Sequence, residues 1–449
     1  MSDMTITFYG AALRVTGSCS LIKCAGKQIL VDCGLIQGDK NSAELNREPF
    51  PFNPAELDAV VLTHGHLDHV GRAPRLIADG FKGPIFTHSA SAELADIVWR
   101  DSARLSAHDG EPLYNGANID QTINLIQPMR YGETAELDGG ISLRFFDAGH
   151  ILGSAHVEIF GQGKRLLMSG DIGQPNSPII RDPTNEWEDS YDAVVIESTY
   201  GNRLHKSRSD TLEEFKQIVK RAVKHKGMVL IPAFAIGRTQ ELLFHFNHMI
   251  DSGELPRIPV LLDSPMAQRV TSVYRSHREC YDEKTWAAID KDDPPMRFPG
   301  LRELVSSTES KTVKSMSPPA VVIAGSGMCS GGRILHHLKD FLDKESTTVI
   351  FVGWQGYGTL GRRLVDGVDK VKIHRQQVKV KARIETLGGF SAHADRDVLV
   401  TWARQISGKP RFFLANHGEE DAAKGLVKAL KDEGLKGCRA VEPDQTYEI

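Results

Sequence analysis

A run of six residues, His64 to His69, constrains the fold more than any other part of the sequence. It reads His-Gly-His-Leu-Asp-His, so four of its side chains can bind a metal ion. The apolar residues 60–62 end one residue before it and indicate a buried strand. A strand end with this density of imidazole and carboxylate is typical of a metal site. The alternative is a solvated polar turn that happens to be rich in histidine.

Three further predicted strand ends carry residues of the same chemistry. His150, Asp171 and His417 each follow an apolar segment, and each has a glycine beside it. One such histidine alone is more often structural than a ligand. Together with the His-rich turn, however, they supply three imidazoles and a carboxylate for one zinc ion, and two imidazoles, a carboxylate and the same shared carboxylate for a second. The set contains no cysteine, which favours a hydrolytic centre over a structural one.

The sequence pattern changes after residue 207. Residues 212–224 have the spacing of an amphipathic helix, and apolar strand segments then alternate with helical segments through glycine-bearing turns. This alternation predicts a parallel, doubly wound α/β sheet. Metal-capable residues return near the end of the chain. We therefore predict one domain built from residues 1–207 and 379–449, interrupted by an inserted α/β domain at 208–378.

Composition excludes several classes of protein. The 449 residues are 41% hydrophobic and 25% charged, with a net charge of −4, so there is no overall basic character. The six cysteines contain no C-x-x-C pair, which indicates reduced thiols in a cytosolic protein. The sequence shows no signal peptide and no apolar run of membrane-spanning length. We expect a cytoplasmic protein without a membrane partner.

These motifs resemble those of the β-CASP nucleases of the metallo-β-lactamase fold, a family of ribonucleases and DNA nucleases that includes RNase J and the endonuclease subunit of the cleavage and polyadenylation specificity factor. The resemblance covers essentially the whole chain. It implies an αββα sandwich with an inserted parallel-sheet β-CASP domain. Asp32, in Leu-Val-Asp-Cys-Gly, matches the first family motif, whose carboxylate supports the metal ligands.

The resemblance also implies roles for individual residues. One zinc ion would be bound by His64, His66 and His150, the other by Asp68, His69 and His417, and Asp171 would bridge them. Glu197, in Glu-Ser-Thr-Tyr-Gly, matches motif A of the family, His393, in Gly-Phe-Ser-Ala-His, matches motif B, and His417 matches motif C. In the family the motif B histidine is the candidate general acid. The motif A carboxylate orients it and raises its pKa.

Glycine-rich turns of the inserted domain are candidates for phosphate binding, because such turns offer backbone amides and a helix N-terminus. The residues predicted to bind substrate phosphate are Arg238, Ser326, Gly327, Arg333 and Ser391. Such glycine-bearing turns occur about as often without a bound ligand as with one. The basic stretch 370–383 could line a groove, although a charge run is usually a solvated face.

The sequence thus predicts a zinc-dependent phosphodiesterase that cleaves single-stranded RNA. RNA is favoured over DNA because RNA-cleaving members of the family carry a histidine at the position of His417. A small-molecule ester or thioester hydrolase of the same fold would not need the inserted domain or His393. A DNA nuclease of the family is a further alternative, and a non-catalytic scaffold should have lost ligands. Four points stay open: endonuclease against 5′-exonuclease action, the RNA target, manganese in place of zinc, and homo-oligomerisation.

Overall fold

The computed structural model describes residues 4–38, 41–110, 112–289, 295–408 and 410–449. The chain forms two units: Met1–Leu204 with His393–Ile449, called the first unit, and His205–Ala392, called the second unit. The strand Arg383–Thr386 pairs with Thr348–Phe351, and this pairing ties the residues after 378 to the second unit. The domain limits predicted at 207/208 and 378/379 stay predictions, whereas the two units divide at 204/205 and 392/393.

Strands and helices are numbered along the chain. The strands are β1 (Thr5–Gly10), β2 (Cys19–Cys24), β3 (Lys27–Val31), β4 (Ala59–Val61), β5 (Ile85–His88), β6 (Ile126–Met129), β7 (Thr134–Leu137), β8 (Ile141–Asp147), β9 (Ala155–Gly161), β10 (Lys164–Met168), β11 (Ala193–Glu197), β12 (Met228–Pro232), β13 (Val260–Leu262), β14 (Leu301–Glu303), β15 (Ala320–Ala324), β16 (Thr348–Phe351), β17 (Lys370–Ile373), β18 (Gln376–Lys379), β19 (Arg383–Thr386), β20 (Phe412–Asn416), β21 (Cys438–Ala440) and β22 (Thr446–Glu448). The α-helices are α1 (Ser42–Leu45), α2 (Leu67–Val70), α3 (Ala73–Ala78), α4 (Ser89–Asp109), α5 (Gly116–Asn124), α6 (Arg208–Lys224), α7 (Arg238–Asp251), α8 (Pro265–Ser276), α9 (Glu283–Ile289), α10 (Ser307–Thr312), α11 (Ile334–Phe341), α12 (Leu360–Val365), α13 (Arg396–Gln405) and α14 (Glu420–Asp432).

The first unit contains two seven-stranded sheets whose inner faces share one core. The strand order is β22-β1-β2-β3-β4-β5-β6 in the first sheet and β21-β20-β11-β10-β9-β8-β7 in the second. Ile141, Leu143 and Phe145 alternate with less buried neighbours along β8, the period expected of a strand with one face in a core. They pack with Ile6 and Ile29 of the first sheet. Burial of these apolar side chains holds the two sheets face to face.

Helices cover the outer faces of both sheets. Leu399 and Trp402 of α13 and Leu426 of α14 form a second core with Val194 and Ile196 of β11. On the other side, α4 packs against β5 and β6 of the first sheet. The layers are therefore helix, sheet, sheet, helix, so the predicted αββα sandwich is confirmed.

Strand direction decides where the predicted site residues lie. Strands β8 and β10 are both antiparallel to β9, and β10, β11 and β20 pair in parallel, so all four end at one edge of the second sheet. His150 follows β8, Asp171 follows β10, Glu197 ends β11 and His417 follows β20. In the first sheet β3 and β4 are parallel, and Asp32 follows β3. Residues far apart in sequence thereby reach one edge.

The second unit is built around a six-stranded sheet of order β14-β13-β15-β12-β16-β19, in which all the pairings are parallel. Leu230, Val322 and Val349 lie in its core, and β12, β13, β15 and β16 are buried along their whole length. Strands covered on both faces read as continuous apolar runs, which is the pattern seen in the sequence. The predicted inserted parallel-sheet domain is therefore confirmed.

Two further findings bear on the sequence predictions. Within the described residues, every helix is either too short or too polar to span a lipid bilayer. Cys19, Cys24, Cys33, Cys280, Cys329 and Cys438 are all buried, and no disulfide joins them within the described residues.

Candidate metal centre

The His-rich turn begins two residues after β4 and continues into the short helix α2, for which His66 is the N-terminal flanking residue. This helical turn brings Asp68 and His69 back to the same side as His64. Gly65 allows the turn to pack closely on α4, because a Cβ there would lie 2.7 Å from the Cβ of Leu94. The local backbone therefore explains why four metal-capable side chains can face one point.

His64, His66, His150 and Asp171 form the first ligand group. Their ligand atoms all lie within 4.8 Å of one another. Nδ1 of His66 is 3.1 Å from Nε2 of His64 and 3.2 Å from Nε2 of His150. Oδ2 of Asp171 is 3.4 Å from Nε2 of His64 and 3.5 Å from Nε2 of His150. Three imidazoles and one carboxylate at this spacing suit a tetrahedral zinc ion.

Asp68, His69 and His417 form the second ligand group, again within 4.8 Å. Nε2 of His417 is 3.0 Å from Nε2 of His69 and 3.7 Å from Oδ2 of Asp68. Asp171, Glu197 and His417 form a third, overlapping group. We prefer the assignment without Glu197, because its Oε1 already accepts a hydrogen bond of 2.7 Å from the amide of Ile172.

Asp171 stands between the two groups. Its Oδ2 faces His64 and His150, whereas its Oδ1 is 3.3 Å from Nε2 of His69 and 3.6 Å from Nδ1 of His417. Among the described residues, neither oxygen receives a hydrogen bond, although both are buried. A buried carboxylate without donors is costly unless a cation compensates for it. The residues present therefore fit two metal ions that share Asp171.

The protonation states of His64 and His66 agree with such a site. Burial lowers the pKa of His66 to about 4, and burial together with the neighbouring His69 holds the pKa of His64 well below its usual range. Both imidazoles are therefore neutral at pH 7, the form that binds metal ions. Burial alone would raise the pKa of Asp171, but the nearby histidines, His417 first, hold it well below its usual range.

Asp32 lies behind the second ligand group. Its Oδ2 is 2.7 Å from Nδ1 of His69, and its Oδ1 accepts a hydrogen bond of 2.9 Å from the amide of Thr63. Ser18 donates a further hydrogen bond of 3.1 Å to Oδ2. A carboxylate on the second ring nitrogen of a ligand histidine fixes its orientation. This is the position that a supporting carboxylate needs.

His393 is placed beside the ligands rather than among them. Its Nδ1 is 3.2 Å from both carboxylate oxygens of Glu197 and 3.8 Å from Oδ2 of Asp171. Burial lowers the pKa of His393, but Glu197 and Asp171 outweigh this effect and raise it to about 9. The imidazolium is therefore the main form at neutral pH.

Two threonines belong to the site, and the sequence analysis missed both. Oγ1 of Thr63 is 3.0 Å from Oδ1 of Asp32 and 3.1 Å from Nδ1 of His64. Oγ1 of Thr199 is 3.2 Å from Nδ1 of His417. Thr63 directly precedes the His-rich turn, and Thr199 lies in the Glu-Ser-Thr-Tyr-Gly segment. Their position in or beside these motifs is the sequence signal that could have identified them as site residues.

The residues predicted to bind phosphate all lie in the second unit, and the two arginines among them contact other groups of the protein. Nη1 of Arg333 donates hydrogen bonds of 2.6 Å to Oδ1 of Asp263 and 2.9 Å to the carbonyl of Leu304. Arg238 pairs with Glu241. These contacts hold both guanidinium groups within the protein, which argues against the predicted phosphate contacts of Arg333 and Arg238. Sequence patterns cannot show partners so distant along the chain as Asp263.

The other candidates of that set have different surroundings. Oγ of Ser326 accepts hydrogen bonds of 3.0 Å from the amide of Ser330 and 3.2 Å from the amide of Gly331. Gly327 packs so closely on the ring of Phe234 that a Cβ at this position would lie 2.8 Å from a ring carbon. Ser391 is partly buried. Phosphate binding by Ser326, Gly327 and Ser391 stays a prediction.

Comparison with known protein families divides the chain into three matches. Residues 13–223 match the metallo-beta-lactamase superfamily, residues 239–364 match the Beta-Casp domain, and residues 377–441 match the Zn-dependent metallo-hydrolase RNA specificity domain. A crystal structure of a protein of unknown function from Enterococcus faecalis superposes with a TM-score of 0.57 at 13% identity, covering 100% of both chains, and shows similarity of fold alone.

Several curated proteins are similar over most of their length. Ribonuclease TTHA0252 of Thermus thermophilus is 40% identical over 429 residues, which are 95% of this chain and 96% of that protein. An RNase J-like protein of Methanocaldococcus jannaschii is 30% identical, with 92% of both chains covered. The transcription termination factor FttA of Methanosarcina mazei is 29% identical over 95% of this chain and 69% of its own length.

The fold and the clustered ligands define a metal-dependent hydrolase of the metallo-β-lactamase class. Within that class, the matched domains and the similarity to Ribonuclease TTHA0252 show that the chain belongs to the β-CASP ribonuclease family. The chain is accordingly a nuclease that acts on RNA, as its sequence motifs predicted.

Proposed function

We propose that the protein is a two-zinc endoribonuclease that cleaves single-stranded RNA in RNA processing or decay. In this proposal one zinc ion is held by His64, His66 and His150, the other by Asp68, His69 and His417, and Asp171 is shared. The observation that carries the proposal is the position of Asp171, whose two oxygens face the two groups separately and accept no hydrogen bond from the described residues. A pair of zinc ions at such a site supplies Lewis acidity and a nucleophile at neutral pH for displacement at phosphorus.

The protein side chains around this site have separate tasks. His393 is protonated at neutral pH and donates a proton to the departing 3′ oxygen. Glu197 occupies the Nδ1 side of that ring, so the proton leaves from Nε2. Asp32 orients His69 from behind through its Nδ1. An alkoxide that is not protonated is a poor leaving group. An acid positioned beside the metal ligands is therefore needed to protonate the departing oxygen.

The choice of RNA rests on similarity. The relative that is 40% identical is named a ribonuclease, and residues 377–441 match a domain described by its RNA specificity. The presence of a histidine at position 417 supports the same choice, because RNA-cleaving members of the family carry one there. Six buried cysteines without a disulfide among the described residues are consistent with reduced thiols, and we place the protein in the cytoplasm for that reason.

One experiment tests the proposal as a whole. The metal content of the purified protein is measured, and the protein is then incubated with 5′-labelled single-stranded RNA, DNA of the same sequence, and a circular form of the RNA. We expect about two zinc ions per chain, cleavage of both linear and circular RNA, and little cleavage of DNA.

Cleavage of linear RNA alone would indicate obligate 5′-exonuclease action. Preferential cleavage of DNA, or hydrolysis of small esters without cleavage of RNA, would refute the proposal. Manganese in place of zinc would correct only the identity of the metal.

A further inference from the structure

Two of three neighbouring loops at one edge of the second unit's sheet carry exposed aromatic side chains. Phe234 follows β12, the glycine-rich turn 325–333 follows β15, and Trp354 and Tyr357 follow β16. Strand β12 pairs in parallel with both β15 and β16, so the three loops are neighbours at the carboxyl ends of these strands. The exposed fractions are 45% for Phe234, 51% for Trp354 and 78% for Tyr357. Large rings are seldom left this exposed next to one another unless something binds them.

Hydrogen bonds join the loop after β16 to the loop after β15. The buried amide nitrogen of Gln355 donates hydrogen bonds of 3.1 Å to the carbonyls of Gly327 and Gly353. The amide of Gly361 donates one of 3.2 Å to the carbonyl of Met328. The loop after β16 is thus tied to the loop after β15. The backbone that carries Trp354 and Tyr357 is therefore held in place before any ligand binds, which lowers the entropy lost on binding.

A strongly basic hairpin belongs to the same unit. Strands β17 and β18 form this hairpin, here called the basic hairpin (residues 370–379), and the stretch 370–383 contains six lysines and arginines and no acidic residue. Lys370 lies directly opposite Lys379 in the register, and both are exposed, as are Lys372 and Arg375. Within the described part of the chain, these four side chains make no ion pair. Like charges directly opposite each other destabilise a strand pair, and a bound polyanion would remove that cost.

The aromatic loops and the basic hairpin are connected through α12 and α11. The guanidinium of Arg362 in α12 lies 4.7 Å from the centroid of the Tyr357 ring, and α12 packs against β17. His374 lies at the tip of the hairpin, and His336 lies in the first turn of α11. The two rings stack with their centroids 4.6 Å apart. Exposed rings and unpaired cations therefore lie on neighbouring elements.

We propose that Phe234, Trp354 and Tyr357, together with the basic hairpin, form a binding surface for single-stranded RNA, and this inference rests on the function proposed above. Unpaired bases stack on the rings, and the lysines contact phosphates. This combination is the one that single-stranded nucleic acids require. A duplex hides its base faces, and an acidic protein offers charge without flat rings. The surface thus selects the strandedness of the substrate.

Binding experiments with chemically different strands separate the two contributions. Each variant is made in the full chain carrying His393→Ala, so that cleavage does not disturb the measurement. Affinities are measured by fluorescence anisotropy for a single-stranded RNA and for an abasic strand of the same length. Trp354→Ala should weaken binding of the base-bearing RNA by about 5- to 150-fold, the range given by stacking of about 1–3 kcal/mol per base. The affinity for the abasic strand should not change.

The basic hairpin is tested by salt dependence. The double substitution Lys370→Gln with Lys379→Gln should weaken binding of both strands. It should also reduce the slope of log affinity against log salt by about 1.4, because each lost phosphate contact with a single strand contributes about 0.7. Trp286→Ala and Lys311→Gln are the matched controls, since Trp286 is 39% exposed elsewhere in the second unit and Lys311 is exposed on α10.

The outcomes distinguish this inference from the proposed function. If the unmodified protein cleaves RNA but Trp354→Ala binds it as tightly as Trp286→Ala does, the stacking surface is wrong while the nuclease function stands. If the unmodified protein neither binds nor cleaves RNA, the proposed function itself fails. Competition by polyglutamate as strong as that by RNA would overturn the assignment to nucleic acid and indicate an acidic protein partner instead.

Discussion

Glu197 holds His393 with both of its carboxylate oxygens, each 3.2 Å from Nδ1 of the imidazole. The two residues are separated in sequence by the whole second unit, yet both belong to the first unit. Glu197 is itself fixed by a hydrogen bond from the amide of Ile172, the residue after Asp171. The general-acid candidate and the shared metal ligand are therefore positioned by the same short segment. Substitution of Asp171, His393 and Glu197 one at a time can separate metal binding from proton transfer.

Replacement of Asp171 by alanine should remove metal from both sites, because its two oxygens face both ligand groups. We expect elemental analysis to show fewer than one zinc ion per chain and no cleavage of RNA. Asp138→Ala is the control, since that side chain is 94% exposed and distant from the ligands in sequence. Normal metal content in the Asp171→Ala protein would contradict the shared-ligand assignment.

Replacement of His393 by alanine should preserve the metal content but lower the cleavage rate by about 10²–10⁴, the usual contribution of general acid catalysis. Glu197→Gln should give a smaller loss of rate, because the ring stays in place but loses its carboxylate partner. Single-turnover kinetics and elemental analysis of the same samples measure both effects. Loss of zinc from the His393→Ala protein would indicate a metal ligand in place of a proton donor.

Replacement of Asp32 by asparagine should weaken the second metal site more than the first. Asp32 contacts His69, and substitution of such a supporting carboxylate typically lowers metal affinity by about 10–100-fold. Competition with a chelator, followed by zinc analysis at each step, should show one of the two ions leaving at a lower chelator concentration. Equal loss of both ions would argue against the assignment of His69 to one site only.

Glu241 should make the second unit sensitive to acid. Burial raises the pKa of this carboxyl group, but Arg238 and Arg208 outweigh burial and lower it from about 4.5 to about 2. Because the pKa is lower in the folded state, the stabilisation is present above about pH 4.5 and is lost as the pH falls toward 2. Urea unfolding at pH 7 and pH 3 should show a smaller difference for Glu241→Gln than for the unmodified protein. Glu345→Gln, at an exposed position, is the control.

Arg333→Ala should destabilise the second unit. Asp263 is fully buried, and removal of Arg333 leaves it with Ser310 and His337 as partners. Breaking a buried ion pair by removing one member costs about 3–5 kcal/mol, discounted here because part of Arg333 is exposed. A lower midpoint of thermal unfolding is therefore expected. An unchanged midpoint together with weaker RNA binding would restore the phosphate contact that the sequence predicted.

The sequence picked out the candidate ligands that the structure brings together, because their chemistry is dense and local. Four candidates fall in one turn, and the others follow strands whose apolar character is plain. The sequence did not predict helix α4, which is 21 residues long and begins after His88 rather than after one of the usual capping residues. It also did not reveal the internal partners of Arg238 and Arg333, because such contacts depend on tertiary packing.

The order in which the ligands occur along the chain has a consequence for biosynthesis. His64 to Asp171 are made early, but His393 and His417 follow only after the whole second unit. A growing chain that ends before residue 393 lacks both the general-acid candidate and one member of the second ligand group. In a chain arranged in this way, the candidate site becomes complete only after the second unit and the residues through His417 have been translated.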